Sequence, residues 1–112
     1  MLELLNSFVR LVTKQSHLKP ILPVSPVRIC LQSGYKLHFI EISTTACLVT
    51  NDSQARIDIW VKGDDQAISS LILGNEKLRK LEIRNEVKIT GKLRDILMVE
   101  ALFYLTERKM SA

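Results

Sequence analysis

With 112 residues, 46% of them apolar and 25% charged, the chain has the make-up of an ordinary globular domain, with enough material to bury one core without disulfides or metals. The net charge of +4 permits contact with nucleic acid or an anionic surface, but the basic residues are spread along the chain and mixed with acids. Even the tightest cluster, Lys77, Arg79, Lys80 and Arg84, is interleaved with Glu76, Glu82 and Glu86, which favours a solvated face over a phosphate-binding one.

Residues 2 to 13 set Leu2, Leu5, Phe8, Val9 and Val12 on one stripe, with Glu3, Asn6, Ser7 and Arg10 between them, and predict an amphipathic helix. Pro20, Pro23 and Pro26 exclude regular helix from Lys19 to Pro26, leaving an extended connector whose Ile21, Leu22 and Val24 can cover the core. Strand signals begin with the alternation of Val27, Ile29 and Leu31, and Ser33-Gly34 turns the chain into a second strand from Tyr35 to Ile42. The alternation slips there. Leu37 and Phe39 point to one side and Ile40 and Ile42 to the other, which a bulge or burial on both faces explains. Thr45 to Thr50 makes a third strand, and Asn51-Asp52-Ser53-Gln54 reads as a hairpin turn into a fourth.

That fourth strand, Ala55 to Lys62, places Ile57, Ile59 and Val61 on one side of the pleat and Arg56, Asp58, Trp60 and Lys62 on the other. Gly63 ends it. Asp64-Asp65 then supplies an N-cap and favourable charge for a helix carrying Ala67, Ile68, Leu71 and Ile72, which Gly74 stops. An apolar link through Leu78, Leu81 and Ile83 leads to a fifth strand, Glu86 to Thr90, closed by Gly91. From Lys92 to about Glu107 the pattern is helical, with Leu93, Ile96, Leu97, Glu100, Phe103 and Tyr104 at three- and four-residue spacing. Met98, Val99, Ala101, Leu102 and Leu105 are apolar as well, so between Ile96 and Leu105 only Glu100 is charged. Such a helix is buried on most sides, or turns one side to a cavity, a ligand or a partner.

The expected organisation is a single domain, 1–112, in which 1–26 form the first helix and the proline-rich connector and 27–105 form the sheet and the other helices. The expected fold class is α+β, a five-stranded, mostly antiparallel sheet covered by helices.

Signs of chemistry are sparse. His17 and His38 are isolated, and no GxSxG, Walker-type loop, HExxH or dinucleotide fingerprint occurs, so neither an enzyme nor a metal or other cofactor is expected. The aromatic residues are not interleaved with basic ones as a stacking platform for nucleic acid requires. Cys30 and Cys47 do not form a CxxC pair, and Glu3 and Arg10 spoil the first apolar stretch as an export signal, so reduced thiols and a cytoplasmic location are expected. No stretch approaches the roughly 20 apolar residues of a membrane span. What stands out is excess apolar character: Trp60 opposite the Ile57, Ile59 and Val61 face, and the last helix. A second layer or a homodimer contact would cover these surfaces; alternatively they wall a cavity for an apolar ligand.

The order of strand, Gly-Asp, helix, Gly, link, short strand, Gly and final helix resembles the sterol carrier protein 2 domain family. Ala55 to Ile59, Gly63-Asp64, Ala67, Leu71 and Gly74 carry the resemblance, followed by Val87, Lys88, Ile89, Gly91, Leu93 and the apolar run to Phe103. It covers about half of the chain, and residues 27 to 54 match the family's earlier strands by pattern. The resemblance implies a five-stranded sheet and helices enclosing an apolar tunnel for lipids, sterols or fatty acyl chains, with no chemistry in the isolated domain. It also implies that the Gly63-Asp64 turn and Gly91 are structural. Similar bacterial domains stand alone, extend larger enzymes, or serve as accessory factors in isoprenoid-quinone synthesis. The family commonly has more helix before the sheet, so a shallow groove closed by a second subunit is an alternative to the tunnel. The leading expectation is non-catalytic binding or transfer of an apolar small molecule, with Phe39, Leu48, Trp60, Leu71, Leu97 and Phe103 as candidate walls. The alternatives are an interaction or accessory module, either a homodimer or an enzyme's partner, and an enzyme using Glu100 as its acid or base.

Overall fold

The computed structural model describes residues 2–50 and 56–106. The first stripe forms helix α1 (Leu2–Lys14), with Leu5, Phe8 and Val12 buried. The connector is less extended than its prolines suggest, because a 3-10 turn runs through Ser16–Ile21 with Pro20 inside it. Pro20 supplies no amide, so this short turn forgoes one hydrogen bond at that position. Beyond it, Leu22 is extended, and the Pro23 carbonyl accepts a hydrogen bond from the Thr44 amide at 2.9 Å.

Strands β1 (Val27–Ser33), β2 (Lys36–Ile42) and β3 (Cys47–Thr50) form an antiparallel meander. The β1–β2 register runs unbroken from Val27 opposite Ile42 to Ser33 opposite Lys36, so the slipped alternation in β2 is no bulge. Phe39 on one face and Ile40 on the other are both buried.

Strand β4 (Ile59–Gly63) corrects two expectations. It begins later than Ala55, with Arg56 to Asp58 as a non-strand lead-in. Nor does it continue the meander as a hairpin partner of β3. It lies parallel to β1, Ile59 beside Ile29 and Val61 beside Leu31, giving the order β3-β2-β1-β4-β5. The expected turn at Asn51-Asp52-Ser53-Gln54 falls outside the described residues. Burial and pinning account for the pairing. Ile59 and Val61 are fully buried and need an inner place in the sheet, whereas four-residue β3 is left at the edge. Asp58 fastens the start of β4 to β1: its amide donates to the Arg28 carbonyl, and its carboxylate accepts from the Arg28 amide, both at 2.9 Å.

Helix α2 (Asp65–Ile72) starts as expected, with Asp64 Oδ1 accepting from the Ala67 amide at 2.7 Å. The link after it is itself a helix, α3 (Leu78–Ile83), which buries Leu78 and Leu81 and leaves Ile83 in solvent. Asn85, at φ 60°, ends it in the left-handed conformation that asparagine tolerates. Strand β5 (Val87–Gly91) pairs antiparallel with β4, and helix α4 (Leu93–Leu105) follows. Gly91 sits at φ 153°, and a Cβ there would stand 2.8 Å from the Asp58 carbonyl oxygen; the turn into α4 therefore needs glycine.

The result is an α+β domain with a five-stranded mixed sheet. Ile29, Leu31, Ile40, Ile42, Ile59 and Val61 face one core with residues of all four helices.

Candidate ligand site

Two segments far apart in sequence build a groove of about 500 Å³ on the helical side of the domain, open along one side to solvent. One wall is the connector from Ile21 to Val27; the other is the first turns of α4, through Arg94, Asp95 and Met98. Pro23 and Pro26 keep the connector from coiling, and Thr44 ties it to the loop before β3. Leu22, Pro23, Val27 and Met98 make most of the lining apolar, while Asp58, Arg94 and Asp95 give it one polar end. Asp58 is held by the Arg28 amide and lies 3.6 Å from Arg56 Nε, so its carboxylate is positioned before any ligand arrives. The volume suits a small molecule, and a mostly apolar wall with a few fixed polar groups suits an amphiphile.

The candidate walls from the sequence fall in three places. Leu71 and Phe103 lie wholly inside the core, where Phe103 meets Phe8 with ring centroids 4.7 Å apart at a 42° tilt. Phe39, Leu48 and Trp60 lie on the other face of the sheet, away from the helices. There Phe39, Cys30 and Trp60 stand side by side across β2, β1 and β4, Leu48 is more exposed, and Gln32 Oε1 accepts from Trp60 Nε1 at 2.9 Å. Leu97 points outward from α4. None of the six lines the groove. Its lining residues Leu22 and Val24 read in sequence merely as cover for the core, and Asp58, Arg94 and Asp95 carried no motif; only the juxtaposition of connector and last helix reveals them.

Glu100 accepts from the Arg79 amide at 2.9 Å and so caps the first turn of α3. Burial pushes the Cys30 thiol up to about 11 and that of Cys47 to about 12, away from the reactive thiolate. His38 is lowered, by burial first and then by nearby positive charge including Lys36. Among the described residues, no three His, Cys, Asp or Glu side chains converge as metal ligands, and no helix is long and apolar enough to cross a membrane.

No protein-family model and no curated protein sequence matches the chain. Solved structures do. A protein described as UbiJ-SCP2, a ubiquinone synthesis protein, superposes with a TM-score of 0.69 at 12% identity, over 92% of this chain and 95% of its own. The apo form of Sterol Carrier Protein 2 from Yarrowia lipolytica gives 0.59 at 11% identity, over 96% and 89%. The sterol carrier protein domain 2 of Helicoverpa armigera gives 0.62 at 14% identity, over 92% and 84%. With the mixed five-stranded sheet, its four helices on one side and nearly end-to-end coverage, the chain has the fold of the sterol carrier protein 2 domains.

Proposed function

We propose that the protein is a non-catalytic carrier of an apolar small molecule, a fatty acyl, sterol-like or isoprenoid chain. The groove under the connector is its mouth, and the space between α4 and the sheet is its seat. The observation that carries this reading is the groove itself, whose apolar wall at Leu22, Val27 and Met98 adjoins the core. A ligand tail reaches the core by lifting α4 at the Phe8–Phe103 contact, whereupon Phe103 and Leu71 become its walls. Asp58, Arg94 and Asp95 would meet the polar head. Burying a twelve-carbon tail contributes about 0.8 kcal/mol per methylene, roughly 9 kcal/mol before ordering costs, and micromolar affinity corresponds to about 8 kcal/mol. The raised thiols and the engaged Glu100 support carriage over catalysis.

Organic extraction and mass spectrometry of the purified protein, beside an unrelated protein prepared in parallel, tests this. A stoichiometric lipid, fatty acid or quinone is the expected result. A clean extract, with no heat of binding for added fatty acid, sinks it.

A second reading is an accessory module that presents apolar intermediates to an enzyme, for example in isoprenoid-quinone metabolism, or that pairs with its own copy. Its support is the outer sheet face, where Leu37, Leu48 and Trp60 are all exposed. A monomeric mass at high protein concentration would remove the homodimer version.

A further inference from the structure

The groove has a neighbour on the other side of the connector. A cavity of about 180 Å³ lies between the end of α1, the 3-10 turn and the loop before β3. Val12, Leu22, Ala46 and Cys47 give it apolar walls, while Thr13, Lys19 and Thr45 stand exposed at its rim. Ser43, buried at one wall, has its hydroxyl engaged, accepting from the Ala46 and Thr45 amides at 3.1 and 3.3 Å.

Two features divide this cavity from the groove. Leu22 is the one residue that lines both. The hydrogen bond from the Thr44 amide to the Pro23 carbonyl crosses the same boundary, because Pro23 lines the groove and Thr44 the cavity. Among the described residues it is the only backbone hydrogen bond tying residues 22–26 to another element. Its two ends differ in firmness. Thr44 sits in a closed turn, where the Ser43 amide donates to the Ala46 carbonyl at 2.8 Å. Pro23 and Pro26 bring no amide hydrogens, and Val24 between them is 86% exposed. A segment with so few ties opens at small cost.

We infer that groove and cavity are two compartments of one site, with Leu22 and the Pro23–Thr44 bond as the gate between them. When the connector lifts at that bond and Leu22 turns aside, an apolar chain runs beneath it. The head stays at Asp58, Arg94 and Asp95, and the far end of the chain reaches Val12 and Cys47. The cavity is smaller than the roughly 300 Å³ at which a pocket takes a whole small molecule. It therefore admits the end of a single flexible chain, acyl or isoprenoid, and not a fused-ring sterol. The inference extends the proposed seat past the connector and rests on the carrier reading, which it narrows to flexible chains.

The test titrates lauric, myristic and palmitic acids into the full chain by calorimetry, and photolyses a palmitic acid bearing a diazirine at its methyl end. In the wild type, affinity is expected to rise about fourfold for each methylene that enters the cavity. The diazirine should label peptides containing Val12 or Cys47. Ala46→Phe fills the cavity with a ring and brings the affinity for palmitic acid down toward that for lauric acid. Leu22→Ala removes the side chain of the gate and speeds the association of cis-parinaric acid, followed by its fluorescence in stopped flow. An Ala46→Phe protein that keeps the full gain from lauric to palmitic acid overturns the inference. So does labelling that spares both peptides, a result that needs no variant, or an association rate indifferent to Leu22→Ala. Each of these leaves carriage and the seat beside α4 standing. A wild-type protein that binds none of the acids and yields a clean extract overturns the carrier reading itself, and the gate with it.

Discussion

Replacing Phe103 with Ala removes a ring that is almost wholly buried and packed against Phe8 at 4.7 Å between centroids. Phe-to-Ala changes in closed cores cost about 3–5 kcal/mol, set against total stabilities of roughly 5–15 kcal/mol for domains of this kind. The substitution should therefore remove between about a fifth of the stability and all of it. Urea titration followed by circular dichroism measures the loss, and an unchanged slope of free energy against denaturant would show that the folded state has not expanded. A double-mutant cycle with Phe8→Ala should return a coupling of about 0.5–1.5 kcal/mol for the ring pair. The same variant bears on ligand carriage, because the missing ring leaves space where an acyl tail would lie. Added fatty acid should therefore raise the urea midpoint of Phe103→Ala by more than that of the wild type, as any ligand confined to the folded state does. A loss below about 1 kcal/mol would refute the account of α4 as clamped by this contact. A variant strongly destabilised but indifferent to fatty acid would refute the seat proposed for the ligand.

Asp64→Ala should lose about 1 kcal/mol, because the Ala67 amide loses its cap; a shift in urea midpoint with unchanged slope checks it. For His38, whose folded pKa lies below its ordinary value of 6.5, the unfolded chain takes up a proton first as the pH falls. Stability is thus complete above about 6.5, declines as the pH drops from there to the folded-state value, and is flat below it. Thermal melts across that range should show a downward step in wild type that His38→Gln reduces. Cys30 and Cys47, with thiols raised to about 11 and 12, should resist iodoacetamide at neutral pH in the native protein and both react in denaturant, as counted by intact mass.

Local pattern was a good guide wherever neighbours in sequence decide the outcome. The stripe of Leu5, Phe8 and Val12 became the buried face of α1, and Asp64 became a cap. Two of the three glycines that carried the family resemblance, Gly63 and Gly91, proved to have steric reasons. At Gly63 a Cβ would stand 2.8 Å from Val87 Cγ1, and at Gly91 it would meet the backbone of β4. What sequence could not convey was partnership. The alternation of Ile59 and Val61 announces a strand with one buried face, but a parallel place beside β1 depends on Asp58 finding Arg28. Helix α3 was hidden because six residues with two buried leucines resemble an apolar link as much as a helix. The groove was invisible for the same reason as the strand order: Leu22 and Arg94 acquire meaning only together.

The parallel seat of β4 also has a consequence for how the chain is made. Arg28 and Asp58 are 30 residues apart, so β1 emerges from the ribosome well before the strand that covers its second edge. At roughly 5–20 residues per second, that edge waits about 2–6 s, with the backbone groups of Cys30 and Gln32 turned toward it and no strand yet there to pair them. A nascent meander with an unpaired, apolar central strand is a template for pairing with another chain. The sheet's most vulnerable moment therefore falls during synthesis, and the arrival of Ile59 and Val61 ends it.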